Sequence, residues 1–297
     1  MLYIVKPGDT LSKIAQRFNT SVAAIMDANV ICNEDLIFDG EALIIPVPGL
    51  VLPKSGGSPF YVVLPGDTLF CLAKQFNTTV SRLAKNNQIT NPNLIKAYSE
   101  LMVLPVNPNA AQLKETWENT PGADCLIFEP QRFGIYYLGT FQWYALGLNA
   151  LSPLLELINH RCPDVRFYAI LSLGRIARDV NGKVKKALKQ HFNDPDPFVA
   201  EMARLAYRRL RLAEQGYRRT HLLIGDDQLI PDLNNLSLPT IPLTAGTAII
   251  VLRWHIPSPT GEEGPRGDIQ LYDQVEVINT GETGFIARRG NNEINFV

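Results

Sequence analysis

Tyr3-Ile4-Val5-Lys6-Pro7-Gly8-Asp9-Thr10-Leu11, followed by Phe18-Asn19-Thr20 and Asn29, returns as Tyr61-Val62-Val63-Leu64-Pro65-Gly66-Asp67-Thr68-Leu69, Phe76-Asn77-Thr78 and Asn87. Gly66 lies 58 positions after Gly8, as Phe76 does after Phe18 and Asn87 after Asn29. Chance does not hold Pro-Gly-Asp-Thr-Leu and Phe-Asn-Thr in one register, so the chain carries an internal repeat. Each copy begins with aromatic and β-branched residues suited to a short strand, which Pro7-Gly8 ends. Asp9 and Thr10 suit the cap of a helix whose apolar stripe is Leu11, Ile14, Ala15 and Phe18. Ser21 suits the cap of a second helix with Val22, Ile25 and Met26. Leu43-Ile44-Ile45 then forms a strand stopped by Pro46. The order is strand, helix, helix, strand. The second copy closes with Met102-Val103-Leu104-Pro105, which reads as one extra residue before its last strand.

These units resemble lysin-motif (LysM) modules, over about residues 1–47 and 60–106. The resemblance implies binding of N-acetylglucosamine polymers, either peptidoglycan or chitin-like glycans. It also implies a shallow groove between the loop after the first strand and the loop after the second helix. Carried onto this chain, the walls are Gly8, Asp9, Thr10 and Leu11 against Asn29, Val30 and Ile31. In the second copy they are Gly66, Asp67, Thr68 and Leu69 against Asn87, Gln88 and Ile89. Ala97-Tyr98 stands where the first copy has Asp39-Gly40, a position at which the family prefers glycine. Exposed backbone would meet the acetamido group and a small apolar floor its methyl. So shallow a contact gains from duplication. Residues 48–59, rich in Pro, Gly and Ser, read as a semi-flexible linker.

Residues 120–219 read as helical. Seven aromatic residues from Phe128 to Tyr144 fit a packed core better than a sugar platform. Two helix pairs follow, 151–160 with 165–177 and 184–192 with 198–212, and prolines sit at turns or helix starts. Asp164-Val165-Arg166 and Leu173-Gly174 resemble HEAT-type repeats, which implies a scaffold rather than chemistry. Residues 161–219 hold 14 Lys and Arg against 6 Asp and Glu, whereas residues 220–297 hold 4 against 10. The run containing Arg204, Arg208 and Arg211 reads as a solvated face, with docking of an acidic partner as the alternative. Residues 220–297 alternate in short runs, with turns at 279–282 and 289–292, as a small β-barrel or sandwich. The stretch from Asp273 to Ile286 resembles, weakly, a bacterial Src-homology-3-like domain. The expected fold is therefore multidomain α+β: two βααβ modules, a helical repeat segment and a C-terminal β domain.

The 297 residues carry a net charge of −1, which argues against general nucleic-acid binding. No apolar run is long enough to span a membrane. The N-terminal residues read as lacking a secretory leader, so the chain is expected to be cytoplasmic as made, with spore or cell-envelope association. Cys32, Cys71, Cys125 and Cys162 lack metal or Cys-x-x-Cys spacing and read as reduced thiols. Pro121-Gly122-Ala123-Asp124-Cys125 is similar to the opening of cysteine peptidases that cut peptidoglycan. Leu126-Ile127 replaces the family's Ser-Gly, however, and no downstream histidine motif follows, so Cys125 reads as a core thiol. His160, His191, His221 and His255 form no ligand set, and no phosphate-binding glycine loop occurs. Glu262-Glu263 reads as solvated. The chain is expected to be a binding protein without enzyme activity, metal or cofactor. The alternative is an oligomeric assembly protein of a spore coat or phage-tail-like particle.

Overall fold

The computed structural model describes residues 1–265, 267–289 and 293–297. The chain forms two compact units that do not follow chain order. One contains residues 1–84, 89–104 and 225–295; the other contains residues 85–88, 105–224 and 296–297.

In the first unit, β1 (Leu2–Ile4), α1 (Leu11–Arg17), α2 (Val22–Ala28) and β2 (Ala42–Ile44) make the first module. The second is β3 (Phe60–Val62), α3 (Leu69–Gln75), α4 (Val80–Asn86) and β4 (Glu100–Met102). Each strand pair is antiparallel, with Tyr3 opposite Leu43 and Tyr61 opposite Leu101. The offset of 58 therefore persists through the last strand, and no residue is inserted before it. The extra residue follows the strand and moves only the proline. Thr10, Ser21, Thr68 and Thr79 accept from backbone N–H groups three residues on, capping the helices. Leu11, Ile14, Ile25 and Leu43 fill the first core, and Leu69, Leu72, Leu83 and Leu101 the second.

Two expectations change here. The thiols are not free: Cys32 is bonded to Cys71 and Cys125 to Cys162. Separations of 39 and 37 residues match no local motif, so spacing concealed both pairs. The loop after α2 reaches the first turn of α3, which joins the modules covalently. Nor are residues 48–59 a spacer throughout. Ser55 is fully buried, bridges in parallel to Asn29 and exchanges backbone hydrogen bonds with Ala28 and Val30. The Gly56 amide donates to the His255 carbonyl. Backbone pairing holds a segment that its composition made look free.

Residues 225–295 complete this unit. β5 (Thr220–Leu222) belongs to the other unit, and the numbering continues with β6 (Asp227–Leu229), β7 (Ile241–Leu243), β8 (Ala248–Pro257), β9 (Leu271–Val277) and β10 (Thr283–Ala287). β8, β9 and β10 form an antiparallel meander, β6 pairs with β7, and Ile230 bridges to Phe285. Of the expected turn at 289–292, Gly290, Asn291 and Asn292 lie outside the described residues. The meander carries the first module: Leu2, Ala42 and Ile44 share a core with Ile256, Tyr272 and Phe285. Arg253 donates to Glu41 at 2.8 Å with both side chains buried, and Phe60 packs on Trp254.

The second unit is helical. α5 (Ala110–Asn119) precedes α6 (Glu129–Gln131), a π-turn over Arg132–Tyr137 and α7 (Leu138–Leu146). Then come α8 (Leu151–Leu157), α9 (Pro163–Ile176), α10 (Lys183–Gln190) and α11 (Pro197–Glu214). Trp117, Tyr136, Phe141 and Trp143 are fully buried, so the aromatic run is mostly core. Arg166 on α9 grips Asp194 through two hydrogen bonds of 2.9 and 2.6 Å, tying one helix pair to the next. Burial alone would raise the Asp194 carboxyl, but Arg166, His191 and the Asp196 amide hold it at about 2. β5 exchanges backbone hydrogen bonds with Val297.

Candidate functional site

The loop after β1 is built around an aspartate. Gly8 sits at φ +82, and a side chain there would meet nothing within 4 Å but would strain the backbone. Asp9 accepts from the Tyr3 hydroxyl at 2.6 Å and from the Lys6 amide at 2.9 Å, with Arg17 at 3.5 Å. It braces the turn, while Thr10 caps the helix. Gly8 and Thr10 remain exposed, and Lys13 donates to the Gly8 carbonyl. The second module repeats the device. Asp67 accepts from the Tyr61 hydroxyl and the Leu64 amide, both at 2.8 Å, and Gly66 sits at φ +89. A tyrosine stands six residues before the aspartate in each copy of the repeat, and that spacing is the sequence signal of the brace.

The two carboxyls respond oppositely. The Tyr3 hydrogen bond, then the Lys6 amide and Arg17, hold Asp9 below the usual carboxylate range against a smaller effect of burial. Burial dominates at Asp67 and pushes it up, despite Leu64 and Tyr61. The covering comes from the first module. A small cavity of about 10 Å³, room for about one water, separates Leu64, Pro65, Gly66 and Asp67 from Ile31, Leu36, Phe38 and Glu41. A side chain at Gly66 would collide with Leu36. Gln75, which replaces Arg17, donates to the Ile31 carbonyl.

The second walls also differ. Asn29, Val30 and Ile31 are 0%, 2% and 4% exposed, so they do not line an open groove. The Asn29 amide donates to the Ile25 and Ile44 carbonyls, and its oxygen accepts from the Ile44 amide. It latches α2 to β2. Val30 enters the core of the second module, and Ile31 joins Leu11 in the core of the first. In the second copy Asn87 and Ile89 are half-buried and Gln88 is exposed. Ile89 packs against the cluster of Leu69. Gln88 belongs to the helical unit, where its amide donates to the Asn86 and Ala145 carbonyls. Tyr98 takes φ +60 where Gly40 takes +82, and both amides donate to the carbonyl just past the first strand of their module, at Val63 and Val5. The turn survives loss of the glycine.

Elsewhere the candidate catalytic groups are engaged. Cys125 is in a disulfide, which corrects its reading as a core thiol. His160 accepts from the Cys162 amide and His191 faces Asp194. Burial first, then Arg288, lowers His255 to about 3. Glu262 accepts from the Tyr272 hydroxyl. Among the described residues no group of three or more His, Cys, Asp or Glu is placed to hold a metal ion, and no helix is long and apolar enough to cross a membrane. Arg204 donates to the Phe192 carbonyl and pairs with Glu201; Arg208 and Arg211 are exposed on α11.

Residues 3–46 and 61–102 match the LysM domain family, and residues 150–180 match the HEAT repeat family. The chain thus carries two LysM modules and a HEAT-type helical segment. It is 34% identical over 131 residues to the secreted LysM effector ECP6 of Passalora fulva, a match covering 36% of this chain and 54% of that one. Over 96 residues it is 45% identical to the endolysin of Bacillus phage PZA, covering 32% and 34%. It is also similar to the autolysin of Enterococcus faecalis, 29% identical over 132 residues, covering 41% and 18%. The chain spans about half or less of the length of these relatives. Among solved structures, the spore cortex-lytic enzyme SleL of Bacillus megaterium aligns over 98% of this chain and 89% of that one, at 13% identity and a TM-score of 0.17.

Proposed function

We propose that this chain is a non-catalytic binding protein. Its two modules hold N-acetylglucosamine-containing glycan, peptidoglycan or chitin-like, and its helical and β parts present that anchor to protein partners. The observation that carries the reading is the braced turn built twice, with a tyrosine-held aspartate inside and a glycine and threonine left at the surface. The outer faces of Gly8–Thr10 in the first module and of Gly66 and Thr68 in the second are the glycan contacts, and backbone amides and carbonyls meet the acetamido groups. Both disulfides support residence outside a reducing cytosol, in the envelope or spore after synthesis. The test is retention of the full chain on insoluble peptidoglycan and chitin against cellulose, which lacks the acetamido group. Retention on the first two alone supports the reading. Equal retention on all three, or on none, rejects it.

One observation favours a second reading, structural assembly. The wall Asn29–Ile31 is taken up by packing within the chain, so a wall of this fold can serve protein contact in place of ligand. Light scattering after size exclusion separates the two: a monomer retained on glycan argues against assembly, and a defined oligomer without retention argues for it.

A further inference from the structure

On the helical unit, α10 and α11 flank an open groove of about 440 Å³ lined by Gly182, Lys185, Lys186, Lys189, Tyr207 and Arg211. The volume is that of a small-ligand site. Lys185 and Lys189 are one helical turn apart, as are Tyr207 and Arg211, so each pair shares a face. The Lys189 ammonium lies 5.3 Å from the Tyr207 ring centre. Hydrogen bonds to the Tyr207 hydroxyl, from Arg211 first and then Lys189, pull its acidity toward the anionic form. Two carboxylates border the groove, and both are spent on Lys185: Glu214 at 2.7 Å and Asp179 at 3.8 Å. Lys186, Lys189 and Arg211 pair with no carboxylate among the described residues. Three uncompensated cations around one depression repel one another until an anion arrives.

We propose that this groove binds the phosphodiester groups of a flexible polyol-phosphate polymer. The lining supplies an arginine fork, two ammonium groups and a phenol from two helices, a donor set that suits the several oxygens of a phosphate better than a planar carboxylate. Among the described residues Tyr207 is the one aromatic residue lining the groove, and Lys189 and an edge-on Phe192 already contact its ring, so the groove favours a polyol backbone over stacked single-stranded nucleic acid. This site rests on the helical segment and does not depend on the glycan reading.

The test is fluorescence anisotropy of labelled poly(glycerol phosphate) with the full chain at low and high salt. Wild type binds, and affinity falls with salt. Lys186→Gln/Lys189→Gln/Arg211→Gln weakens binding about tenfold or more. Lys74→Gln/Arg82→Gln/Arg178→Gln, which removes equal charge outside the groove, changes it less than about twofold. Inorganic phosphate displaces the polymer from wild type, a measurement that needs no variant to fold. Tyr207→Phe weakens binding by about threefold while keeping the ring. Equal loss in both triple variants overturns the proposal. So does failure of phosphate to compete, or tighter binding of single-stranded DNA with the same number of phosphates.

Discussion

The two modules share a fold and a loop, yet each has given a different wall to the rest of its unit. The first keeps the Gly8–Thr10 turn open and buries Asn29, Val30 and Ile31. The second sets Leu64 to Asp67 beside the first module while Gly66 and Thr68 stay exposed, and it leaves Ile89 half-exposed. Sequence identity at Gly-Asp-Thr-Leu therefore preserves the turn without preserving its surroundings. A repeat encodes its internal core; what covers that core from outside is decided by residues at other places in the chain. Glu41 and Ser99 occupy equivalent positions 58 apart, and only Glu41 meets a buried arginine.

That pair makes the largest difference. Glu41→Ala leaves Arg253 buried and unpaired and lowers stability by about 3–5 kcal/mol. Ser99→Ala, whose hydroxyl donates to the Lys96 carbonyl near the surface, costs less than about 1 kcal/mol. Urea unfolding of the two variants measures this, and equal losses would erase the asymmetry. Next is the bond between modules. Cys32→Ser/Cys71→Ser lowers stability by about 2–4 kcal/mol under oxidising conditions, and in reducing agent, which opens Cys125–Cys162 as well, wild type and variant melt together in the same thermal scan. Smaller again are the left-handed positions. Gly40→Ala costs about 1 kcal/mol, because a β-carbon strains φ +82. Tyr98→Gly removes that strain from the second module and changes stability by less than about 1 kcal/mol, since glycine also loosens the unfolded chain.

The smallest contrast is in pH. Asp9 titrates below its unfolded value, so its support is present near neutrality and fades as pH falls through the folded value. Asp67 titrates above its unfolded value, so its contribution is present in acid and fades as pH rises through the folded value. Asp9→Asn therefore lowers the melting temperature near neutrality and loses its effect in acid. Asp67→Asn does not lower it near neutrality. Parallel curves for the two variants would show that both aspartates lie in the same environment.

The sequence announced what is local. Strand, capped helix, second helix and strand followed from Tyr3-Ile4-Val5, Thr10, Ser21 and Leu43-Ile44-Ile45, and the helix pairs followed from Pro163, Pro197 and their apolar stripes. Long-range choices were not legible. Nothing near Ser55 says that it will lie beside Asn29, and nothing near Cys32 says that Cys71 will meet it. The site was half visible: the turn residues were found, but Asp9 and Asp67 turned out to brace it. Asn29, expected to face ligand, holds two carbonyls and an amide inside the fold.

Amide chemical shifts of the full chain, titrated with a hexamer of N-acetylglucosamine, test the account most directly. It predicts saturable shifts at Gly8, Asp9 and Thr10, with smaller ones at Gly66 and Thr68. Absence of shifts at both loops, or shifts confined to the basic helices, would contradict it.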